Sequence, residues 1–348
     1  MKKAIATLAV FSFILLIIIA PDICINGAQK GLLICGNVII PSLFPFAACV
    51  LFIMKTDCLL KLKIIKPIAK ILFNQTEEMF CVMLFSMLGG YPVGARLINQ
   101  LCIDKKVSPE NAHIMQCYCV NAGPAFILVA VGVGILNSKP CGALLLLAHL
   151  LSSVIIALFC SRFIKYNNTI IKLKKRTISL SDCIVESVSD AASSTLSICS
   201  FVILFSVLNS YLLSVSNDVQ IFKVLSSLCE VTSAVANTQN IYIISFLLGF
   251  SGIAVWFQVL ACSKRSGVNL PLFISFRILH GVLSTFILFI FLRIFKISVS
   301  TVSNNISFKL NYTYSGVSLA FSLAIMIILL LISVNCKNHG GNPIKDML

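Results

Sequence analysis

The sequence predicts an all-helical, multi-pass membrane protein built as two repeats of opposite orientation. Three observations predict it. Of its 348 residues, 58% are hydrophobic and only 11% are charged, with a mean hydropathy of +1.00. A soluble domain keeps about 25% charged residues to cover its surface, so lipid has to be the solvent here. Apolar runs of about 20 residues recur along the chain, the length that crosses a bilayer core. The same order of elements is then met twice.

The first apolar run, 4–20, follows Met1-Lys2-Lys3 and reads as a retained signal anchor that crosses outward, because no small-residue cleavage site precedes Pro21. Residues 31–54 cross back and contain Pro41 and Pro45. Residues 55–76 place Leu59, Leu62, Ile65, Ile68 and Leu72 at helical spacing among Lys61, Lys63, Lys66 and Lys70, the pattern of a helix lying on the inner surface. Residues 79–102 are apolar but broken by Gly89-Gly90-Tyr91-Pro92-Val93-Gly94. Such a break ends a helix, so a re-entrant hairpin is expected, entering and leaving on one side. Residues 112–136 cross outward, interrupted by Asn121-Ala122-Gly123-Pro124, and 141–160 return. A basic loop over 161–182 follows.

The second set repeats this order. Residues 186–213 cross outward, 219–235 form a short amphipathic segment, and 241–262 are apolar with a break at Gly249-Phe250-Ser251-Gly252. Residues 271–295 cross inward and 315–334 outward. The domain reading is therefore 1–30 anchor, 31–160 first repeat, 161–185 basic linker, 186–334 inverted second repeat and 335–348 polar tail.

A net charge of +15 would suggest nucleic acid in a soluble protein. Here it follows from lysine and arginine retained on inner loops, and no nucleic-acid partner is expected. With this topology 18 basic residues lie inside and seven outside, leaving Arg96 and Arg277 in the membrane. The 15 cysteines are scattered through apolar segments without C-x-x-C spacing and read as small buried hydrophobes, not as metal ligands.

Three constellations are candidates for chemistry. In the hairpins, Gly89, Gly90, Tyr91, Pro92 and Gly94, matched by the break at Ser251 and Gly252, let the backbone turn, and each second arm begins a helix whose free N–H groups favour an anion; Gln258, on the second hairpin, offers a polar amide of the same class as Asn121. Close helix packing is the rival explanation of these glycines. Arg96 and Arg277 are costly in a membrane; they either bind a ligand or pair with Glu186, Asp190 or Glu230. Asn121 and Gly123 next to Pro124 offer an amide and freed carbonyls, or merely a kink. His149 and His280 read first as polar packing residues. Gly249-Phe250-Ser251-Gly252 with His280 has the letters of an intramembrane serine protease, but repeat logic already explains the glycines, and no enzyme activity is expected.

The motifs at 89–96, at Asn121-Ala122-Gly123-Pro124-Ala125-Phe126-Ile127 and at 249–255 with Gln258 resemble those of the YlbJ-type sporulation integral membrane proteins. These carry the gate, or nucleoside-recognition, domain related to concentrative nucleoside transporters. The resemblance runs from about Gly31 to Val334. Ala122-Gly123 and Trp256 depart from the family pattern and bear on substrate identity. The resemblance implies a role in endospore formation, in a mother-cell or outer forespore membrane, and transport of dipicolinic acid, a small aromatic dicarboxylate. A structural protein of the spore envelope is the alternative class; a nucleoside substrate is a lesser one. No cofactor is expected. A coupling Na+ or H+, and a homo-oligomer, stay open.

Overall fold

The computed structural model describes residues 2–55, 65–164, 179–215, 220–236, 238 and 240–295. The expected span at 315–334, the polar tail and most of the basic linker lie outside them. Among the described residues all regular structure is helical. Four helices are long and apolar enough to cross a membrane, five if a bent N-terminal pair is counted as one span.

That pair is α1 (Lys2–Ile19) and α2 (Pro21–Ile34), which meet at 106°. Pro21 starts α2, so the first long element begins inside the stretch assigned to the anchor. It continues through one wide π turn (Cys35–Ile39) into α3 (Ile40–Lys55). The π turn has a local cause: Pro41 has no N–H to donate and its ring crowds the preceding turn, so the helix widens there. This element runs antiparallel to α9 (Leu180–Val215): Gly27 meets Val207, Cys35 meets Cys199 and Lys55 meets Glu186. Gly27 and Gly31 let the backbones close, since a Cβ on either would lie 2.8 Å from an α9 Cα.

Where surface helices are expected the chain is helical, as α4 (Ile65–Phe73) in the first half and α10 (Gln220–Cys229) with α11 (Val231–Ala236) in the second. The first break folds back. α5 (Glu77–Gly89) and α6 (Tyr91–Ile103) are antiparallel arms: Gly94 packs on Ser86, and Lys106, just past α6, lies 3.9 Å from Glu78 at the start of α5.

The second break does not fold back, which corrects the expected second hairpin. α12 (Ile241–Phe250) and α13 (Gly252–Cys262) follow one another as a single 22-residue apolar stretch. It lies antiparallel to α14 (Leu270–Ile294): Tyr242 meets Phe289, Gly249 meets Gly281, and Trp256 meets Phe273. The reason lies in two backbone angles. Gly90 has φ 84° and ψ 174°, a conformation open essentially to glycine alone, and Pro92 then starts a new helix. Ser251 has φ 72° and ψ −14°, a left-handed kink after which the chain resumes its course.

If 241–262 crosses as one span, the expected topology reverses downstream. The loop after α13 joins the lysine-rich face, where the Asn99 carboxamide oxygen accepts from the Arg265 and Ser266 N–H groups at 2.8 and 3.0 Å. α14 also runs antiparallel to α8 (Lys139–Cys160), with Phe276 beside Phe159 near the inner end. If 315–334 crosses as expected, Lys264, Arg265, Lys337 and Lys345 move inside while Arg293, Lys296 and Lys309 move outside. The balance becomes 19 against six, still in accord with the bias toward inner positive charge.

Candidate functional site

The stretch at 112–136, expected as one broken crossing, is split more deeply than a kink. α7 (Pro109–Gln116), capped by the Ser108 hydroxyl, ends at Gln116. Residues 117–119 leave the helix in a turn whose N–H groups still bond back to Ile114 and Met115, residues 120–123 run without regular bonding, and the chain becomes helical again at Pro124, entering a π helix over Phe126–Ile135. Every residue of 117–123 is buried. In an apolar interior each unpaired carbonyl or N–H costs a few kcal/mol, so this segment survives only if side chains from other helices complete it.

They do. Arg277, on α14 and 0% exposed, donates to the Cys117 and Val120 carbonyl oxygens. The Tyr118 carbonyl accepts from Asn121 Nδ2 and from Ser153 Oγ, each at 2.8 Å. The Ala122 N–H donates to His149 Nε2 at 3.0 Å, and His280 Nε2 lies 3.0 Å from the His149 carbonyl. The hairpin turn closes over the same segment. Gly90 and Gly123 face each other, each with room for no more than a Cβ between the backbones, and a Cβ on Gly94 would stand 1.7 Å from the Cys119 carbonyl oxygen. Gly89, Tyr91, Pro92 and Val93 are buried around this turn.

One bond ties the first break to the second. The Ser251 kink interrupts the helix after Leu248, and Tyr91 Oη donates to the Leu248 carbonyl at 2.8 Å. Trp256 Nε1 likewise donates to the Phe250 carbonyl at 3.2 Å. Trp256 therefore caps a carbonyl next to the kink with its indole N–H.

The candidate residues thus divide. Gly89, Gly90, Tyr91, Pro92, Gly94, Asn121, Gly123 and Arg277 form one buried centre. Ser251, Gly252 and Gln258 do not join it: Gly252 packs against Leu228, Cys229 and Val231 at the α10–α11 junction, and Gln258 is buried on α13. Gly249 serves packing alone, since its Cβ would lie 2.5 Å from the Gly281 Cα. Arg96 also stands apart; it donates to the Asp190 carbonyl and to Ser194 Oγ on α9, so it does not share a clamp with Arg277. The Glu186 and Asp190 carboxylates instead take Lys55 Nζ at 2.8 and 3.0 Å. Among the described residues no carboxylate lies within ion-pair distance of Arg277. No hydrogen bond joins Ser251 to His280.

The histidines were undervalued by sequence reasoning. His149 and His280 are fully buried and stacked, with ring centroids 4.5 Å apart. Positions 131 residues apart carry no spacing pattern that links them. Four polar atoms of this centre have no hydrogen-bond partner among the described residues: Asn121 Oδ1, His149 Nδ1, His280 Nδ1 and Arg277 Nε.

The sequence is similar to the sporulation integral membrane protein YlbJ of Bacillus subtilis (strain 168), with 25% identity over 334 aligned positions covering 79% of this chain and 80% of the relative. The resemblance carried by the broken motifs therefore extends along most of the chain, and the chain is a multi-pass membrane protein by its helices and by its relative alike. No family model matches the sequence. No solved structure matches it.

Proposed function

We propose that this chain is a sporulation-associated membrane transporter of a small organic anion, with dipicolinic acid the first candidate, acting by alternating access. One observation carries the reading. Two helix N-terminal ends, at Gly90 and Gly123, abut each other in the centre that also buries Arg277, with no carboxylate within ion-pair distance of it among the described residues. Helix N-termini carry partial positive charge, and a buried guanidinium adds a full one. A centre of that sign in a membrane favours an anion, and a planar guanidinium suits a carboxylate. The first hairpin, with its mouth on the lysine-rich face, is the natural moving gate, because its turn rests on the unwound segment through close contacts of Gly90 and Gly94 and a single long side-chain hydrogen bond, from Asn121 Nδ2 to Ser86 Oγ at 3.4 Å. The wider inverted-repeat plan is supported by the antiparallel α2–α3 and α9 elements and by a surface helix after each. The name of the relative supports the link to spore formation.

A scaffolding role in the spore envelope draws on a different observation. The carbonyls at Cys117, Tyr118, Val120, Leu248 and Phe250 are all met by protein side chains, as in a centre built only to be stable. One assay decides. Proteoliposomes holding the purified chain are loaded with labelled dipicolinate and compared with empty vesicles. Transport above the empty-vesicle rate, lost in Arg277→Gln at normal protein level and kept in Arg96→Gln, supports the anion reading. No movement of dipicolinate, with normally folded protein, favours the scaffold.

A further inference from the structure

The stacked His149–His280 pair has an asymmetry that the transport reading does not use. Each ring is fixed by one hydrogen bond at one nitrogen. Because Ala122 N–H donates to His149 Nε2, that nitrogen is bare, and the neutral ring carries its proton on Nδ1. His280 Nε2 faces the His149 carbonyl, which only accepts, so His280 carries its proton on Nε2 and its Nδ1 is bare. Both Nδ1 atoms are buried without a hydrogen-bond partner among the described residues. The pair therefore holds one unused N–H, on His149, and one unused lone pair, on His280.

A proton arriving from water can bond to His280 Nδ1, giving an imidazolium, without breaking any hydrogen bond of the centre. A proton on His149 Nε2 would first have to release the Ala122 N–H. The geometry points to a one-proton site on this pair, filled at His280 Nδ1 and occupied together with an anion at the adjacent Arg277 centre. This rests on the anion-transport reading.

The charges around the pair set the coupling. On α14 itself Arg277 lies three residues before His280, on the same face. The unwound segment adds Cys117, Tyr118 and Cys119. Of the other elements packed on α8 and α14, α12 carries only Tyr242, whose ring meets Phe289 near the far end of α14. α4 carries Lys66 and Lys70, α7 carries Glu110 and His113, and Arg162 follows α8; Asn74 bonding the Ile164 carbonyl puts α4 at the inner end of α8. Protonated His280 beside Arg277 makes two buried positive charges, which are tolerated together only when compensated. A dicarboxylate supplies two negative ones. Proton and dianion therefore favour each other's binding, and linkage makes the effect reciprocal.

The test uses the full purified chain in nanodiscs. Dipicolinate is titrated in weak buffer with a pH dye, and its affinity is measured across a pH series. The expected result is uptake of about one proton per dipicolinate bound, with affinity falling about tenfold per pH unit as pH rises above the site's own pKa. His280→Gln keeps an N–H for the His149 carbonyl; it should bind with a flat pH profile and no proton uptake. Wild-type binding with a flat profile and no uptake overturns the proton site and leaves the transport reading standing. A second readout needs no substrate: 15N NMR of labelled histidines. It should show the Nδ1–H tautomer for His149, the Nε2–H tautomer for His280, and His280 alone titrating on acidification. Equal tautomers, or His149 titrating first, overturn the proposal even if dipicolinate is not the ligand; failure of dipicolinate to bind at any pH overturns the anion reading alone.

Discussion

Gly90, Gly94 and Gly123 line the contact between the hairpin and the 117–123 segment, and the structure assigns each a different cost when it becomes alanine. At Gly94 the added Cβ would lie 1.7 Å from the Cys119 carbonyl oxygen, where ordinary contact needs more than 3 Å. Either α6 or the 117–123 segment must shift by more than 1 Å. That segment is held by the Arg277, Asn121 and His149 hydrogen bonds, so the shift costs overpacking, about 1–3 kcal/mol, plus at least one charge-assisted hydrogen bond, about 1.5–3 kcal/mol. Gly94→Ala should therefore lose roughly 3–6 kcal/mol. At Gly90 the nearest atom to a Cβ is 3.6 Å away, so space is ample, but φ is +84°. The cost is backbone strain alone, about 1–3 kcal/mol. At Gly123 the nearest atom is 3.4 Å away and φ is not positive, so Gly123→Ala should cost well under about 1 kcal/mol, or even stabilise by restricting the unfolded chain. Thermal unfolding of the three variants in detergent, followed through a thiol-reactive dye on the buried cysteines, gives the order directly. Gly94→Ala as mild as Gly123→Ala would mean that the hairpin turn does not rest on the Cys119 carbonyl, and the packing of the gate on the unwound segment would have to be abandoned.

Other consequences can be checked in the same preparation. Tyr91→Phe removes the hydroxyl that meets the Leu248 carbonyl and leaves that buried acceptor unpaired; a loss of about 1–3 kcal/mol is expected, and no loss would detach the first break from the second. Lys55→Met breaks the pair with Glu186 and Asp190, whose side chains are about half exposed, so less than about 1 kcal/mol is expected, shrinking further in high salt. On a cysteine-depleted background, cysteines at Lys105 and Lys264 should label from the same side of sealed vesicles and one at Asn240 from the opposite side. Labelling of Lys264 and Asn240 from one face would restore a second hairpin.

Much of the plan was legible because membrane burial leaves few ways to satisfy a backbone. The Gly-Gly-Tyr-Pro-Val-Gly run had to interrupt a helix, and it does so at Gly90. The surface helices showed in the lysine spacing of α4. What the sequence could not separate was a turn from a kink. Gly249-Phe250-Ser251-Gly252 carries two glycines, as a hairpin would, but one of them faces Gly281 on α14, 32 residues away, and a contact between distant helices leaves no local mark. The missing proline was the available signal. Pro92 starts a second helix in a new direction, and nothing at 249–252 does the same. The partners of Arg96 were illegible for a related reason. Its half-buried guanidinium reaches the Asp190 carbonyl and Ser194 hydroxyl on α9, partners that only the tertiary packing supplies.

The same logic explains why the centre draws on residues so far apart in the chain. A break over 117–123, fully unwound from 120 to 123, frees more carbonyls and N–H groups in a membrane than its own side chains can meet, and Asn121 serves only one of them. The remainder must come from helices packed around it: Ser153 and His149 from α8, Arg277 from α14. An apolar substitution at His149 or Arg277 leaves a buried backbone group unpaired, whatever else the residue does, whereas without Ser153 the Tyr118 carbonyl keeps its bond from Asn121. Stability alone therefore requires a donor at 277, and it does not require that donor to carry a permanent charge. A glutamine at 277 is shorter than arginine and can reach at most one of the two carbonyls, so Arg277→Gln should cost about 1–3 kcal/mol for the carbonyl left bare, offset in part by relief of a buried charge. A loss of dipicolinate binding much larger than that stability loss would separate the electrostatic role of Arg277 from its structural one. Equal losses would make it a strut for the 117–123 segment and nothing more.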